Sequence, residues 1–222
     1  MIVIAHRGAN RFAPQNTLHA FKKAVELNSD GVETDVHVTK DGHLVLCHNG
    51  TVDKTSNGKG KISDMSLRDL RNFDFGSWFG SKFKNTPIPT LDEFLQSVEN
   101  TALSVLDIEL KQQKDDNLDF VEKVKQIDSK IQTGYLYPAM GDIVKRKLCA
   151  PINIAKKYNI DFLLPHHGYV SKKLIEKAHS AGMRVGVWTV NKIEAVEKFL
   201  NWGVDQIITD VPDIIKNKIE SI

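Results

Sequence analysis

The chain has 222 residues, of which 41% are hydrophobic and 26% charged, with 14 Gly and 7 Pro. This is ordinary globular composition; it excludes collagen-like and disordered chains, and no repeat period of about 20 to 50 residues is present. The 30 Lys and Arg against 28 Asp and Glu leave a formal charge of +2, too small a field to hold a nucleic-acid backbone, so no nucleic-acid partner is expected.

Ile2 to Ala5 reads as a short buried strand, and Leu18, Phe21 and Val25 fall at helical spacing between Thr17 and Leu27, with Asn16 available as N-cap. A second strand is predicted from Gly31 to about Val38, and Lys40-Asp41-Gly42 turns the chain into an extended piece, Leu44 to Cys47. From about residue 49 to 90 the pattern breaks into Gly, Ser, Asn and Lys with interleaved aromatics, which predicts an inserted cap. Alternation then resumes. A helix is predicted near Leu91 to Val98, a strand at Leu103 to Leu110, a helix near Leu118 to Ile127, a strand at Ile131 to Tyr137 and a helical stretch through Tyr158. Strand Asp161 to Leu164, helix Lys172 to Ala181, strand Arg184 to Val190, helix Ile193 to Leu200, strand Gln206 to Ile208 and a last helix complete the chain. Strands separated by helices imply a parallel sheet, and a TIM-type (β/α) barrel is the natural α/β architecture, with about seven barrel strands where eight would close it. One domain over residues 1–222 is expected.

Cys47 and Cys149 are too few for a secreted disulfide scaffold. His6 and Arg7 cut short the apolar run Met1 to Ala5, which leaves neither a signal-peptide core nor a membrane span. A cytoplasmic protein without stable membrane insertion is expected.

Strand alternation puts Glu33, Asp35 and His37 on one face and Val32, Thr34 and Val36 on the other. With the apolar face against helices, the two carboxylates point inward, where unpaired they repel and resist desolvation. Leu106, Ile108 and Leu110 likewise leave Asp107, Glu109 and Lys111 on an opposite face, so Glu109 can supply a third oxygen. Two readings stand side by side, a salt-bridged carboxylate group or a hard-cation site for Mg²⁺ or Ca²⁺. His6, Arg7 and Gly8 end the first strand and His48 ends the extended piece, and two imidazoles at one mouth suit acid/base catalysis near neutral pH. Other chemistries fit worse. Cys47 and His48 point apart in an extended segment, no G-x-S-x-G elbow occurs, and Asn57 to Lys61 lacks the spacing of a P-loop. His166 and His167 are read as loop residues.

These residues resemble the glycerophosphodiester phosphodiesterase family along nearly the whole chain. The resemblance is carried by "HRG" at His6 to Gly8, "APQNTLHAF" at Ala13 to Phe21, "GVETDVHVTKDGHLVLCHN" at Gly31 to Asn49 and "IPTLDEFL" at Ile88 to Leu95. It continues in order through "LDIELK" at Leu106 to Lys111, "VGVWTVN" at Val185 to Asn191 and "GVDQIITDVPD" at Gly203 to Asp213. It implies a TIM-barrel hydrolase that cleaves small-molecule glycerophosphodiesters to glycerol 3-phosphate and an alcohol. Matched motif to motif, Glu33, Asp35 and Glu109 hold one divalent ion, Mg²⁺ or Ca²⁺. His6 and His48 are the acid/base pair, Arg7 and Lys111 neutralise the phosphate, and Trp188 lines the glycerol side.

The chain departs from the family at Asn49, where an Asp is usual, at Lys54, where an Arg is usual, and at Gln15, where a Glu is usual. Between Lys111 and Gly134 the family's additional helix and strand are replaced by a short polar stretch, which predicts a barrel one β/α unit short. The sheet edges so exposed could be covered by residues 112–117 or by a second copy in a homo-oligomer. Two rival functions remain, a lysophospholipase D-like hydrolase and a non-catalytic barrel that binds phosphodiesters or a partner.

Overall fold

The first strand, β1 (Ile2–Ala5), carries Val3, Ile4 and Ala5 fully buried, as a central parallel strand requires. The structure, a computed structural model, describes residues 1–111, 126, 132–137 and 150–222. These fall into two compact units, one formed by Val3–Gln113 with Thr209–Asn217 and the other by Met1–Ile2, Lys114–Ile208 and Lys218–Ile222.

In the first of these units β1 pairs in parallel with β2 (Gly31–Val38), Ala5 beside Val32, and β2 pairs in parallel with β4 (Val105–Leu110), Asp35 beside Glu109. Between them in sequence, β3 (Leu44–Leu46) folds back antiparallel on β2, with Leu46 beside Val36. Helices α1 (Leu18–Glu26) and α3 (Leu91–Val98) each carry an apolar stripe, and their Phe21 and Phe94 rings meet at 4.4 Å over Val32, Val36 and Leu46. Each buried phenylalanine contributes on the order of 2 kcal/mol by area removed from water. A strand whose two faces are both buried thus has an apolar side against helices and a charged side facing inward, as the alternation predicts.

Thr17, rather than Asn16, caps α1: its side chain accepts from Ala20 N, while Asn16 is held at φ 55° with its amide committed elsewhere. Residues 49–90 form a layer with its own core of Val52, Ile62, Leu70, Phe75 and Ile88, packed on Val45 and Cys47 of β3 and the residue after it. It contains a 3-10 turn at Ile62–Asp64, the short helix α2 (Leu67–Leu70) and a second 3-10 turn at Ser81–Phe83.

In the other unit β5 (Gly134–Tyr137), β6 (Phe162–Pro165), β7 (Arg184–Val187) and β8 (Gln206–Thr209) pair in parallel in sequence order. They alternate with α4 (Ala150–Lys157), α5 (Lys172–Ser180) and α6 (Glu194–Trp202), while Thr209 at the end of β8 and most of the following α7 (Pro212–Glu220) belong to the first unit. Ser171 caps α5 and Gly203, at φ 80°, ends α6 in the left-handed turn that glycine adopts without penalty.

Apart from β3, which runs antiparallel, the described residues supply seven strands of the parallel β/α type. The helix expected near Leu118 to Ile127 and the shortened stretch after Lys111 lie, save for Gln126 and 132–133, outside the described residues. Among the described residues no helix is long and apolar enough to cross a membrane.

Candidate active site

The register of β2 against β4 sets Glu33 beside Asp107 and Asp35 beside Glu109, two acidic rows on one side of the sheet. Glu33, Asp35 and Glu109 each bring a carboxylate oxygen within 4.8 Å of the others. Glu33 is 4% exposed and Asp35 fully buried. Burial, and then the charges of Asp35, Asp107 and Glu109, push the Glu33 carboxyl well above its usual range. Burial also pushes Asp35 upward, but Lys111, Arg7 and the Asn16 amide outweigh it and hold this carboxyl low.

The cations reach this cluster from two strand ends. Arg7 sits at φ 56° immediately after β1, and that left-handed turn lets its backbone N donate to Glu33 Oε2 at 2.8 Å while Nε lies 3.3 Å from Asp35 Oδ2. A non-glycine residue in this region is strained, and the strain accumulates where the surrounding contacts overdetermine it. Gly8 follows at φ 74°, and a Cβ there would stand 2.7 Å from the Ala20 backbone, so the tight approach of this loop to α1 admits only glycine. Lys111, one residue past β4, places Nζ 2.9 Å from Asp35 Oδ1 and 2.5 Å from Glu109 Oε1. Burial lowers its pKa, but Asp35 and Glu109 outweigh burial and raise it. Asn16 donates Nδ2 to Asp35 Oδ2 at 2.8 Å and accepts from the Thr34 hydroxyl, bracing β2 from the loop before α1.

The two histidines are held differently. His6 donates from Nδ1 to Asp210 Oδ1 at 2.6 Å, and Asn10 donates to the same oxygen at 2.6 Å. Since a carboxylate only accepts, the proton is on Nδ1 and Nε2 is the free ring atom. His48, carried past β3, donates from Nδ1 to Asn49 Oδ1 at 2.7 Å. Burial, then the nearby Arg7 guanidinium, hold the His48 pKa below its ordinary value. His37, on the same face of β2 as the acids, lies 3.4 Å from the His48 carbonyl and supports that turn.

All predicted site residues but Trp188 therefore fall in one unit. Trp188, just after β7 in the other, is half-buried, donates Nε1 to the Leu164 carbonyl at 2.8 Å and packs edge-on against His166 at 5.4 Å. His166 itself accepts from Gly168 N and starts a 3-10 turn.

Comparison with known proteins decides the lineage. The model of the glycerophosphoryl diester phosphodiesterase family matches residues 6–167 and 150–214. A glycerophosphodiester phosphodiesterase of Caldanaerobacter subterraneus subsp. tengcongensis is 35% identical, over 98% of this chain and 97% of that one. One from Bacillus altitudinis is 29% identical, over 95% of each. The structure of an Oleispira antarctica phosphodiesterase in complex with the product sn-glycerol-3-phosphate superposes with a TM-score of 0.88, at 26% identity, over 99% of this chain and 97% of that one. The chain belongs to the glycerophosphoryl diester phosphodiesterase family.

The fold is accordingly a TIM-type barrel one β/α unit short, and the chain is a phosphoric diester hydrolase that acts on glycerophosphodiesters. Two departures from the family pattern fall on the site itself. Gln15, where a Glu is usual, accepts from Arg7 Nη1 at 2.7 Å, and Asn49, where an Asp is usual, is the His48 partner. Lys54 is exposed. Asp210 and Asn10 join the site beyond the residues expected from the sequence, and Asn16, expected as an N-cap, binds Asp35 instead. Asp210 directly follows β8, and the C-terminal ends of barrel strands are where such residues collect, so its position was the available signal.

Proposed function

We propose that Glu33, Asp35 and Glu109 hold one divalent cation, that Arg7 and Lys111 receive the substrate phosphate, and that His48 and His6 act as general base and general acid. The observation that carries this reading is the convergence of three carboxylates, two of them buried, on one spot. The donor set fits a hard dication. Glu33, Asp35 and Glu109 present oxygen donors of the kind such an ion takes, and the mutual repulsion that raises the Glu33 carboxyl is what Mg²⁺ or Ca²⁺ would offset. When bound, such an ion polarises a phosphoryl oxygen as a Lewis acid.

A phosphodiester is protected by its own negative charge, so groups that offset this charge more strongly in the transition state accelerate the reaction. Arg7 and Lys111 supply two such groups, both held in place by Asp35, which with Glu109 also raises the pKa of Lys111. His48 is kept neutral by burial and by Arg7, and its Nδ1 proton is held by an amide that offers no charge, so Nε2 takes a proton from the attacking hydroxyl. His6, its ring oriented by Nδ1 on Asp210, takes the general-acid role and donates a proton from Nε2 to the departing alkoxide. The products are glycerol 3-phosphate and an alcohol. Residues 1–222 are read as one catalytic domain with 49–90 as its cap, a reading supported by the span of the family match. A cytoplasmic setting is supported by the free, buried Cys47 thiol.

The test is release of glycerol 3-phosphate from glycerophosphocholine after dialysis against EDTA and after reloading with Mg²⁺ or Ca²⁺. Turnover is expected to vanish on chelation and return with one of the ions, which identifies it. Turnover indifferent to chelation would overturn the proposal.

A further inference from the structure

We propose that the face formed by the loop at Phe12, the outer side of α1 and cap residues 78–84 docks the protein onto anionic lipid bilayers. The face is contiguous. Edge-to-face contacts run from Trp78 to Phe79 at 5.7 Å, from Phe79 to Phe83 at 5.6 Å and from Phe83 to His19 of α1 at 5.4 Å. Beside this strip lies an open groove of about 400 Å³ between Phe12, Lys22, Lys23, Lys82 and Phe83. Large apolar side chains stand in solvent on it: Trp78 is 44% exposed, Phe12 39% and Leu18 38%.

Basic side chains predominate around these rings. Lys22, Lys23 and Lys82 line the groove and Arg11 and Lys84 adjoin Phe12 and Phe83 in sequence, while of the nearby acids Glu26 is held by Lys23 at 3.2 Å and Asp74 accepts from Gly76 and Ser77. Lys82 Nζ sits 4.8 Å from the Phe83 ring centre and Lys23 Nζ 5.8 Å from that of Phe12, so cations and rings are interleaved rather than segregated. Aromatic rings with an apolar body and lysines with a charged tip match the two layers of a bilayer surface, acyl boundary and phosphate. A protein partner would need a complementary acidic surface that also accepts exposed rings, whereas an anionic bilayer offers both at once.

A second lysine-rich face serves as internal comparison. Around α4 and α5 of the other unit, Lys156, Lys173 and Lys177 line a groove with Glu176, but its large apolar side chain, Ile152, is buried at 7% exposure. Lysines without exposed rings read as a solvated face. The docking proposal therefore depends on the combination of rings and charge, and it stands apart from the assignment of catalytic roles, because its readout requires no turnover.

The experiment is co-sedimentation of the full chain with phosphatidylglycerol-containing vesicles, against pure phosphatidylcholine, at low and high salt. Binding is expected to the anionic vesicles alone and to fall at high salt, with a blue shift of tryptophan emission that Trp78→Ser abolishes. Lys22→Gln, Lys82→Gln and Lys84→Gln combined should weaken partitioning by about a hundredfold. Phe12→Ser with Trp78→Ser should weaken it by about tenfold. Lys156→Gln, Lys173→Gln and Lys177→Gln combined should leave it unchanged. Turnover of soluble glycerophosphocholine and the unfolding midpoint report that each variant is folded. Absence of binding to anionic vesicles, binding by folded Lys22/Lys82/Lys84 or Phe12/Trp78 variants equal to that of the parent, or an equal loss in the α4–α5 variant would each overturn the proposal.

Discussion

Between residues 49 and 90, several polar side chains close on near neighbours: Asp74 accepts from Gly76 and Ser77, Thr86 donates to Phe83 O, and Ser66 and Asp69 form a reciprocal helix cap. Along β2 and β4 the acids instead depend on partners far away in sequence, Asp35 on Arg7, Asn16 and Lys111, and Glu33 on the backbone of Arg7. The cap is locally satisfied and supports itself. The strand-borne acids are held together against their own repulsion, which a structural role would not require and a cation site does.

The sharpest way to break this contrast is Glu33→Gln. Because the folded carboxyl is raised above its unfolded value, it opposes folding at pH values above the ordinary carboxylate range, and that penalty shrinks as pH falls below the raised value and is gone below the ordinary one. Glu33→Gln removes the penalty at neutral pH. Metal-free Glu33→Gln protein should therefore unfold at the same or a higher temperature than the parent, while kcat/KM falls by on the order of 10³-fold. Calorimetry and the glycerol 3-phosphate assay check the two halves. A destabilised but active variant would reverse the contrast.

His48→Ala comes next, with turnover expected to fall by about 10²–10⁴-fold at an unchanged unfolding midpoint. The acid limb of the pH–rate profile is expected below the ordinary histidine value, because burial and Arg7 keep His48 neutral there. An acid limb above that value would remove His48 from the role of base. Asn49→Asp then sharpens the point. A carboxylate in place of the amide stabilises the imidazolium, so the acid limb should move upward with little loss at alkaline pH.

Alternation along β2 and β4 made the three acids and Lys111 readable, because a period of two assigns faces without any knowledge of neighbours. His6 and His48 were readable as strand-terminal residues for the same reason. Asp210 was not, since its contact with His6 depends on which strand lies beside β1, and that follows from topology rather than periodicity: His6 N donates to Thr209 O across residues remote in sequence. Asn16 is not the cap its position suggests, because its left-handed backbone turns the amide away from the helix and toward Asp35. The seven strands were legible from β/α alternation, whereas the antiparallel turn of β3 onto β2 follows from the tight turn at Thr39 to His43, where His43 N donates to Thr39 Oγ1.

The smallest expected effect lies on the cap side of the comparison. Thr90 begins α3 with a reciprocal cap, its side chain accepting from Glu93 N and its own N donating to Glu93 Oε2 at 2.8 Å, while Arg71 of the cap grips the same carboxylate at 2.6 Å. Thr90→Ala removes one acceptor from the helix start and should cost about 1 kcal/mol, read as a lower unfolding midpoint. It should leave kcat and the pH profile untouched. The reason is that His48 is positioned by β3, which is tied to β2 through Val36 and Leu46 and to Pro89 through Leu46 N, and none of these bonds uses the Thr90 hydroxyl. If Thr90→Ala lowered turnover at temperatures well below its midpoint, the cap would be coupled to the histidine arm, and the division between a self-supporting layer and a strand-borne site would fail.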